Sequence, residues 1–560
     1  MKEPRQRTGT EPIPDHLSAA PESSPPAAPR TVRSAAYIGL ACFAGAFLLY
    51  LATWMRVQPW DSIAYTARAL GNPLLSERFL STAWFHPHHL LYVPLAALFG
   101  HVLPPGDAGP LASFAPLLLL SSLAGAGCVG LAGWIAHRAT GRRSTAVFAA
   151  AALALTNAVW IYSTIVEVMM PALCFLLLGV ALAFGRSHRH AVAAGLAIGL
   201  AVLLHQIVVL FAVALTLALA LPARGALRRP GSARRFAAAW IALAVGVYAW
   251  AAVAHQGLRS PVEIARWTLA AGERSESSRL SLAGMAWQSA RTLCEALITQ
   301  TPVARRADPA AWPWMLAITL VLAVLAGGMV LAWRRRNAAG SSPDAGVALR
   351  GLAWGALATA AFIAWFQPRT LDYWVYVVAC LMLLAGIGAM GSRGAGGRVG
   401  ALAWPALVLL GGVNFGYRAL PALDPENAPY ADLLRFSAGR LRAGDCLWIG
   451  PRDASLEDAL VALPFFAQVD TRVAGNDRAP WMPGGLARGA PRSGARPAVP
   501  CAGRVFATAN ALAQLEAQRG ERIAAEPQGS MRGVPVFRLG ERAGIATPAR
   551  PDTLSGGTAP

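Results

Sequence analysis

The sequence predicts a polytopic α-helical membrane protein of about eleven transmembrane helices, with a small α/β domain at its C-terminal end. Three observations predict it. The 560 residues are 55% hydrophobic and only 14% charged, against roughly 25% charged in soluble globular chains. Apolar runs approaching the ~20 residues that cross a bilayer recur along the chain. The arginines gather in alternate connections between those runs, which is the positive-inside pattern. The net charge of +20 is therefore assigned to lipid topology. Nucleic acid is set aside as a partner, since no zinc-finger, RNA-recognition or helix-turn-helix pattern accompanies the charge.

Residues 1–34 read as a disordered cytoplasmic tail, rich in Pro, Ser, Ala and Glu. No small-residue cleavage site follows the first apolar run, so that run reads as a retained anchor. Apolar runs follow at 35–55, 110–136, 144–163, 167–185, 191–204, 206–222, 236–254, 311–333, 351–366, 371–391 and 399–417. The two flanking His205 are short and read either as one long helix or as a broken pair. The stretch 88–104 is apolar but amphipathic, and reads as a helix lying along the interface.

With the N-terminus inside, Arg30 and Arg33, then Arg138, Arg142 and Arg143, then Arg186 and Arg189 fall on the cytoplasmic side. So do the groups Arg224–Arg235, Arg334–Arg336 with Arg350, and Arg393 with Arg398. The outer side then holds the loop 56–109, the 160s turn, the His205 turn, the loop 256–310, the turn 367–372 and everything from 418. Residues 418–540 carry strand-like Cys446–Ile449, Arg504–Ala507 and Val534–Leu539 and a helical stretch at 509–519, a small extracytoplasmic α/β domain. Residues 541–560 read as a disordered tail. Cys446 and Cys501 can form a disulfide on that side; Cys42, Cys128, Cys174 and Cys380 lie in apolar runs as packing residues.

Every candidate chemical group falls on the outer side. Asp61, just past the first run, suits a general base, or else opens a helix as a cap. His86, His88 and His89 flank Pro87 at the start of the interfacial stretch. Imidazoles with helix N-terminal amides can take a phosphate or a metal, or serve as interfacial anchors. Glu167 at the junction of two runs is costly beside hydrocarbon, so it faces either a cavity or an arginine of the 256–310 loop. His205 and Gln206 interrupt an apolar stretch and need partners. Arg369, in the turn that also holds Asp372, suits phosphate oxygens. Tyr373 and Trp374 read as interfacial belt residues. Arg259, Arg266, Arg274, Arg279 and Arg291 offer an electrostatic seat for an anionic head group. No P-loop, dinucleotide fingerprint, zinc helix or serine elbow is present.

Together, Trp60-Asp61, His86-Pro87-His88-His89-Leu90-Leu91-Tyr92, Trp160–Val168, Gly195–His205 and Asp372-Tyr373-Trp374 resemble the GT-C superfamily of membrane glycosyltransferases. The branch they resemble is the one related to bacterial protein O-mannosyltransferases, and the resemblance covers roughly 35–417. It implies a GT-C-like transmembrane catalytic region that moves a sugar from a polyprenyl-phosphate carrier to a protein, lipid or glycan acceptor. The location implied is the extracytoplasmic face of a bacterial inner membrane. It makes Asp61 the catalytic carboxylate, with His86, His88, His89, Tyr92, Glu167, His205, Gln206, Arg369 and Asp372 as substrate-binding candidates and a divalent cation left open. Ser62 stands where relatives often carry a second acid, and Met169 where they often carry Tyr. Two rival classes remain, a secondary transporter or lipid flippase, and a polytopic scaffold displaying residues 418–560.

Overall fold

The computed structural model describes residues 29–70, 85–103, 110–185, 187–221, 230–269, 280–299, 312–336, 343–391, 396–428, 430–450, 453, 463–467, 470–473 and 503–540. Its first helices are α1 (Pro29–Ala52), α2 (Trp60–Leu70), α3 (Tyr92–Val102), α4 (Pro110–Thr140), α5 (Arg143–Ala154) and α6 (Asn157–Thr164). Next come α7 (Met169–Ala183), α8 (His188–Leu204), α9 (Val209–Ala220), α10 (Pro230–Trp250), α11 (Pro261–Leu269) and α12 (Leu282–Leu297). The helical part closes with α13 (Trp312–Arg336), α14 (Pro343–Phe366), α15 (Leu371–Gly391) and α16 (Gly396–Asn414).

Five stretches among the described residues are long and apolar enough to cross a membrane: Arg33–Ala52, Ala112–Thr140, Gly231–His255, Gly346–Phe366 and Leu371–Met390. The chain is an integral membrane protein. The other expected crossings are less regular than the apolar runs suggested. The 144–163 run is a broken pair, α5 and α6, bent by 66°. Tyr92–Val102, Met169–Ala183, His188–Leu204, Gln206–Ala220 and Met315–Gly328 are shorter apolar helices.

The break between α5 and α6 has a polar reason. Between α5 and α6 the freed carbonyl of Leu155 accepts a hydrogen bond from Asn414 Nδ2 at 2.8 Å. The same side chain donates to Leu297 O at 3.1 Å and accepts from Thr299 N at 2.9 Å. One buried amide thus replaces helix hydrogen bonds that an apolar medium would leave unmade. At His205, α8 stops and a short 3-10 turn, Gln206–Val208, leads into α9. The broken-pair reading of that region is the one observed. Elsewhere close approach needs small residues: a Cβ on Gly130 of α4 would lie 2.8 Å from Gly39 O of α1.

Beyond the helices, α17 (Ala431–Arg440) leads into a five-stranded sheet with α18 (Ala509–Arg519). The strands are β1 (Cys446–Ile449), β2 (Asp470–Val473), β3 (Val505–Thr508), β4 (Ala525–Met531) and β5 (Val534–Leu539), in the order β2-β1-β3-β5-β4. β1 runs parallel to β2 and β3, while β5 is antiparallel to β3 and β4. Arg532 (φ 51°) and Gly533 (φ 76°) turn the β4–β5 hairpin, as a two-residue loop requires. Cys446 is disulfide-bonded; Cys501, its expected partner, lies outside the described residues.

Candidate active site

Hydrogen bonds between distant loops draw the candidate groups to one end of the helices. Ser62 Oγ on α2 donates to Val166 O at 2.7 Å, and Val166 N donates to Gln58 Oε1 at 3.2 Å. These two bonds fix the start of α2 against the 165–168 turn that carries Glu167. The histidine segment is tied down separately, by Leu91 N to Leu203 O at 3.1 Å and Tyr248 Oη to Pro87 O at 2.5 Å. Arg56 N and Val57 N both donate to Ala422 O, at 2.8 and 3.2 Å.

Asp61, Glu167 and Asp372 converge: one carboxylate oxygen from each lies within 4.8 Å of the others. No other group of three or more His, Cys, Asp or Glu does so among the described residues. Asp61 sits in the first turn of α2, inside the helix and not at its cap, where the helix dipole favours a negative charge. It keeps exposed surface, yet burial among its neighbours and the charge of Asp372 push its pKa up to about 6, against the pull of Arg68. Glu167 is 4% exposed. Burial first, then Asp61 and Asp372, hold its carboxyl well above the usual range. The arginine partner considered for Glu167 is not found: among the described residues it makes no ion pair. Its Oε2 accepts from Val168 N at 3.1 Å. Asp372, at the start of α15, accepts from the Tyr162 hydroxyl of α6.

Three carboxylates so close repel one another, and an all-oxygen donor set suits a hard divalent cation. At the other end of α15, Met390 O accepts from Arg142 Nη1 at 3.4 Å. Eighteen residues at 1.5 Å each set the acids and that arginine roughly 27 Å apart along one helix. Asp372 and Arg142 thus stand at opposite ends of α15.

Beside the acids runs a line of rings. Tyr65 meets Tyr92 edge-on with centroids 4.9 Å apart, and meets His89 at 6.0 Å. His89 stacks on His205 at 5.1 Å, and His205 on Tyr376 at 5.4 Å. His86 and His88 complete the group, 5.7 and 5.8 Å from His89. Tyr92 is fully buried, within electrostatic reach of Glu167.

The remaining candidates lie apart. Gln206 turns away from the acids, its Nε2 donating to Thr268 O at 3.1 Å. Arg369 is exposed in its turn, as are Arg259, Arg266 and Arg291; Arg274 and Arg279 lie outside the described residues. Trp374, expected at the lipid interface, is instead buried at 3% exposure, and Tyr373 packs on His205 at 5.5 Å. Both point inward because α15 is covered on the side where they fall. Arg68 went unremarked in the sequence. Its signal was there: Asp61, Tyr65 and Arg68 are spaced i, i+4, i+7, one face of α2.

No family model matches the sequence, and no curated protein matches it. The fold is shared with solved structures. ArnT from Cupriavidus metallidurans bound to undecaprenyl phosphate aligns with a TM-score of 0.56 at 13% identity, covering 90% of this chain and 98% of that one. Its apo state aligns with a TM-score of 0.55 at 14% identity, covering 90% and 97%. The apo oligosaccharyltransferase of Archaeoglobus fulgidus aligns less well, with a TM-score of 0.45 at 14% identity over 79% of this chain and 64% of its own. The chain thus shares the fold of the two ArnT structures, and a small sheet lies near its C-terminus.

Proposed function

We propose that the chain is a membrane glycosyltransferase that moves a sugar from a polyprenyl-phosphate carrier to a hydroxyl-bearing acceptor. The observation that carries the reading is the convergence of Asp61, Glu167 and Asp372 at one end of the helices. The fold is one in which ArnT holds undecaprenyl phosphate. The reading includes the O-mannosyltransferase-like branch, about eleven crossings, and a site on the extracytoplasmic face of a bacterial inner membrane. The disulfide at Cys446, beside strands on the same side of the chain, favours that face. Acids gathered at helix ends favour a transferase over a transporter, which needs ionisable groups near mid-membrane.

In this reading Asp61 accepts the proton of the acceptor hydroxyl. The freed oxygen attacks the anomeric carbon from the face opposite the phosphate, and the carbon–oxygen bond to phosphate breaks with its electrons leaving on the phosphate. A pKa near 6 suits a base working near neutral pH, ionised but not inertly so. Glu167 and Asp372 sit close enough to Asp61 to share a divalent cation with it, and Tyr162 orients Asp372. Such a cation would supply neutralising charge for the acids and the departing phosphate. Because the carrier phosphate is already a good leaving group, positioning and charge stabilisation account for most of the rate.

The test is incubation of purified protein with radiolabelled polyprenyl-phosphate sugars and membrane extract. Label on an acceptor, lost in Asp61→Asn, supports the reading. Label on nothing, with any donor, removes it.

A further inference from the structure

Resting on the transferase reading, we propose that His205, His89 and Arg68 form a distinct anion-binding half of the site that seats the phosphate of the lipid carrier. Three observations carry this. His205 is 2% exposed, and neither of its ring nitrogens has a hydrogen-bond partner among the described residues. The Nδ1 atom of His89 is buried without one as well. Buried polar atoms are normally paired, so three such atoms on two stacked rings mark a place where a ligand supplies the missing partners.

Arg68 joins the same place from α2. It shares a helix face with Asp61 and Tyr65, and Tyr65 lies against both His89 and Tyr92. The guanidinium is half-buried, and its charge reaches Asp61 on one side and His89 on the other. The arginines that the sequence offered for this task, Arg369, Arg259, Arg266 and Arg291, are all exposed.

The ligand of this half is an anion and not a second cation. The imidazole nitrogens do not converge as metal ligands do, since the acidic trio is the one such group among the described residues. The His89 and His205 rings lie nearly parallel, 23° apart, and Arg68 adds positive charge beside them. A guanidinium with neutral imidazole N–H donors in a water-poor setting suits phosphate oxygens. Burial holds His89 well below its usual pKa, so its N–H donates without carrying charge. The site thus has an acidic half fit for a cation and a donor half fit for a phosphate, side by side.

The test measures binding of undecaprenyl phosphate, undecaprenol and inorganic phosphate to purified full-length protein in detergent. Wild-type protein is expected to bind undecaprenyl phosphate at least ten times more tightly than either undecaprenol or inorganic phosphate. Arg68→Gln and His205→Asn should each weaken undecaprenyl phosphate binding about tenfold while undecaprenol binding stays as in the wild type. Equal affinity for inorganic and lipid phosphate would assign the seat to a free anion and overturn the lipid assignment. Unaltered binding in both variants, or the loss appearing in Arg369→Gln instead, overturns the seat. If Arg68→Gln does not fold, Arg68→Lys keeps the charge without the fork, and wild-type affinity in Arg68→Lys together with His205→Asn overturns it equally. Protein that binds undecaprenyl phosphate through Arg68 but transfers no sugar retires the transferase reading alone. Sugar transfer with Arg68→Gln binding as wild type retires the seat alone.

Discussion

Asp453 beside the C-terminal sheet and Glu167 among the helices are equally buried, at 5% and 4% exposure, yet are treated in opposite ways. Asp453 accepts from Gly450 N at 2.8 Å, Thr508 Oγ1 at 2.5 Å and the Asn510 amide. Its neighbour Asp445 accepts from Arg442 N at 2.8 Å and Arg504 N at 2.9 Å, and pairs with the Arg504 guanidinium at 2.7 Å. Glu167 accepts one backbone N–H and otherwise faces two more carboxylates. Saturated acids hold the sheet together. Unsaturated ones, kept close despite repulsion, are stability forgone, which a fold retains where binding or catalysis uses the charge.

Breaking the contrast at Asp61 should have the largest effect. Asp61→Asn is expected to lower transfer by about 10²–10⁴-fold, the usual worth of a general base, with membrane insertion unchanged, read from labelled-sugar turnover. Next comes the cation. Chelation should lower wild-type turnover about tenfold or more, and adding a divalent cation should raise the melting temperature of the wild type but not of Glu167→Gln, as for any ligand that binds only the folded state. Glu167→Gln sharpens the comparison through stability. Removing one of three clustered charges should raise the melting temperature by about 1–3 °C, given how a kilocalorie spreads over a large domain, while turnover falls.

The smallest effects belong to the sheet. Asp445→Asn should cost about 1–2 kcal/mol, the worth of a charge-assisted pair at a part-exposed position, and leave turnover per folded molecule unchanged. Burial alone would raise the Asp445 pKa, but the Arg504 guanidinium and the amides of Arg442 and Arg504 outweigh it and hold the carboxyl below its usual range. Its stabilisation is therefore full above the unfolded value, about 4, and is lost as pH falls through the lower folded value. Thermal unfolding of wild type and Asp445→Asn should converge at acid pH; a constant gap would show that the pair does not act through charge.

Much of the acidic site was legible because each acid announces itself locally: Asp61 lies just past an apolar run, Glu167 at the junction of two, and Asp372 at the start of one. Their mutual distance was not, since it depends on the Ser62–Val166 and Val166–Gln58 bonds between loops about a hundred residues apart. His205 was visible as a polar interruption, but its stack on His89 was not. The break inside the 144–163 run was hidden for a similar reason. Thr156-Asn157 carries a helix-start signature inside the 144–163 run, and the remote Asn414 amide that lets the backbone break there cannot be seen locally. In the sheet, the apolar strands β1, β3 and β5 stood out. β2 and β4 did not: β2 (DTRV) carries an acid and an arginine among four residues, and β4 (AEPQGSM) is an edge strand whose Pro, Gly and exposed polar residues carry no alternating pattern.

The bonds from Arg56 and Val57 to Ala422, with Gln58 N reaching Tyr430 Oη at 3.4 Å, carry a consequence for dissection of the chain. The backbone just ahead of Asp61 is strapped by residues that follow the last long helix. A gene shortened at codon 417 would therefore sever the strap and loosen the loop that carries Asp61 from afar, whereas a stop placed after residue 441 would spare it and ask only what the strands contribute.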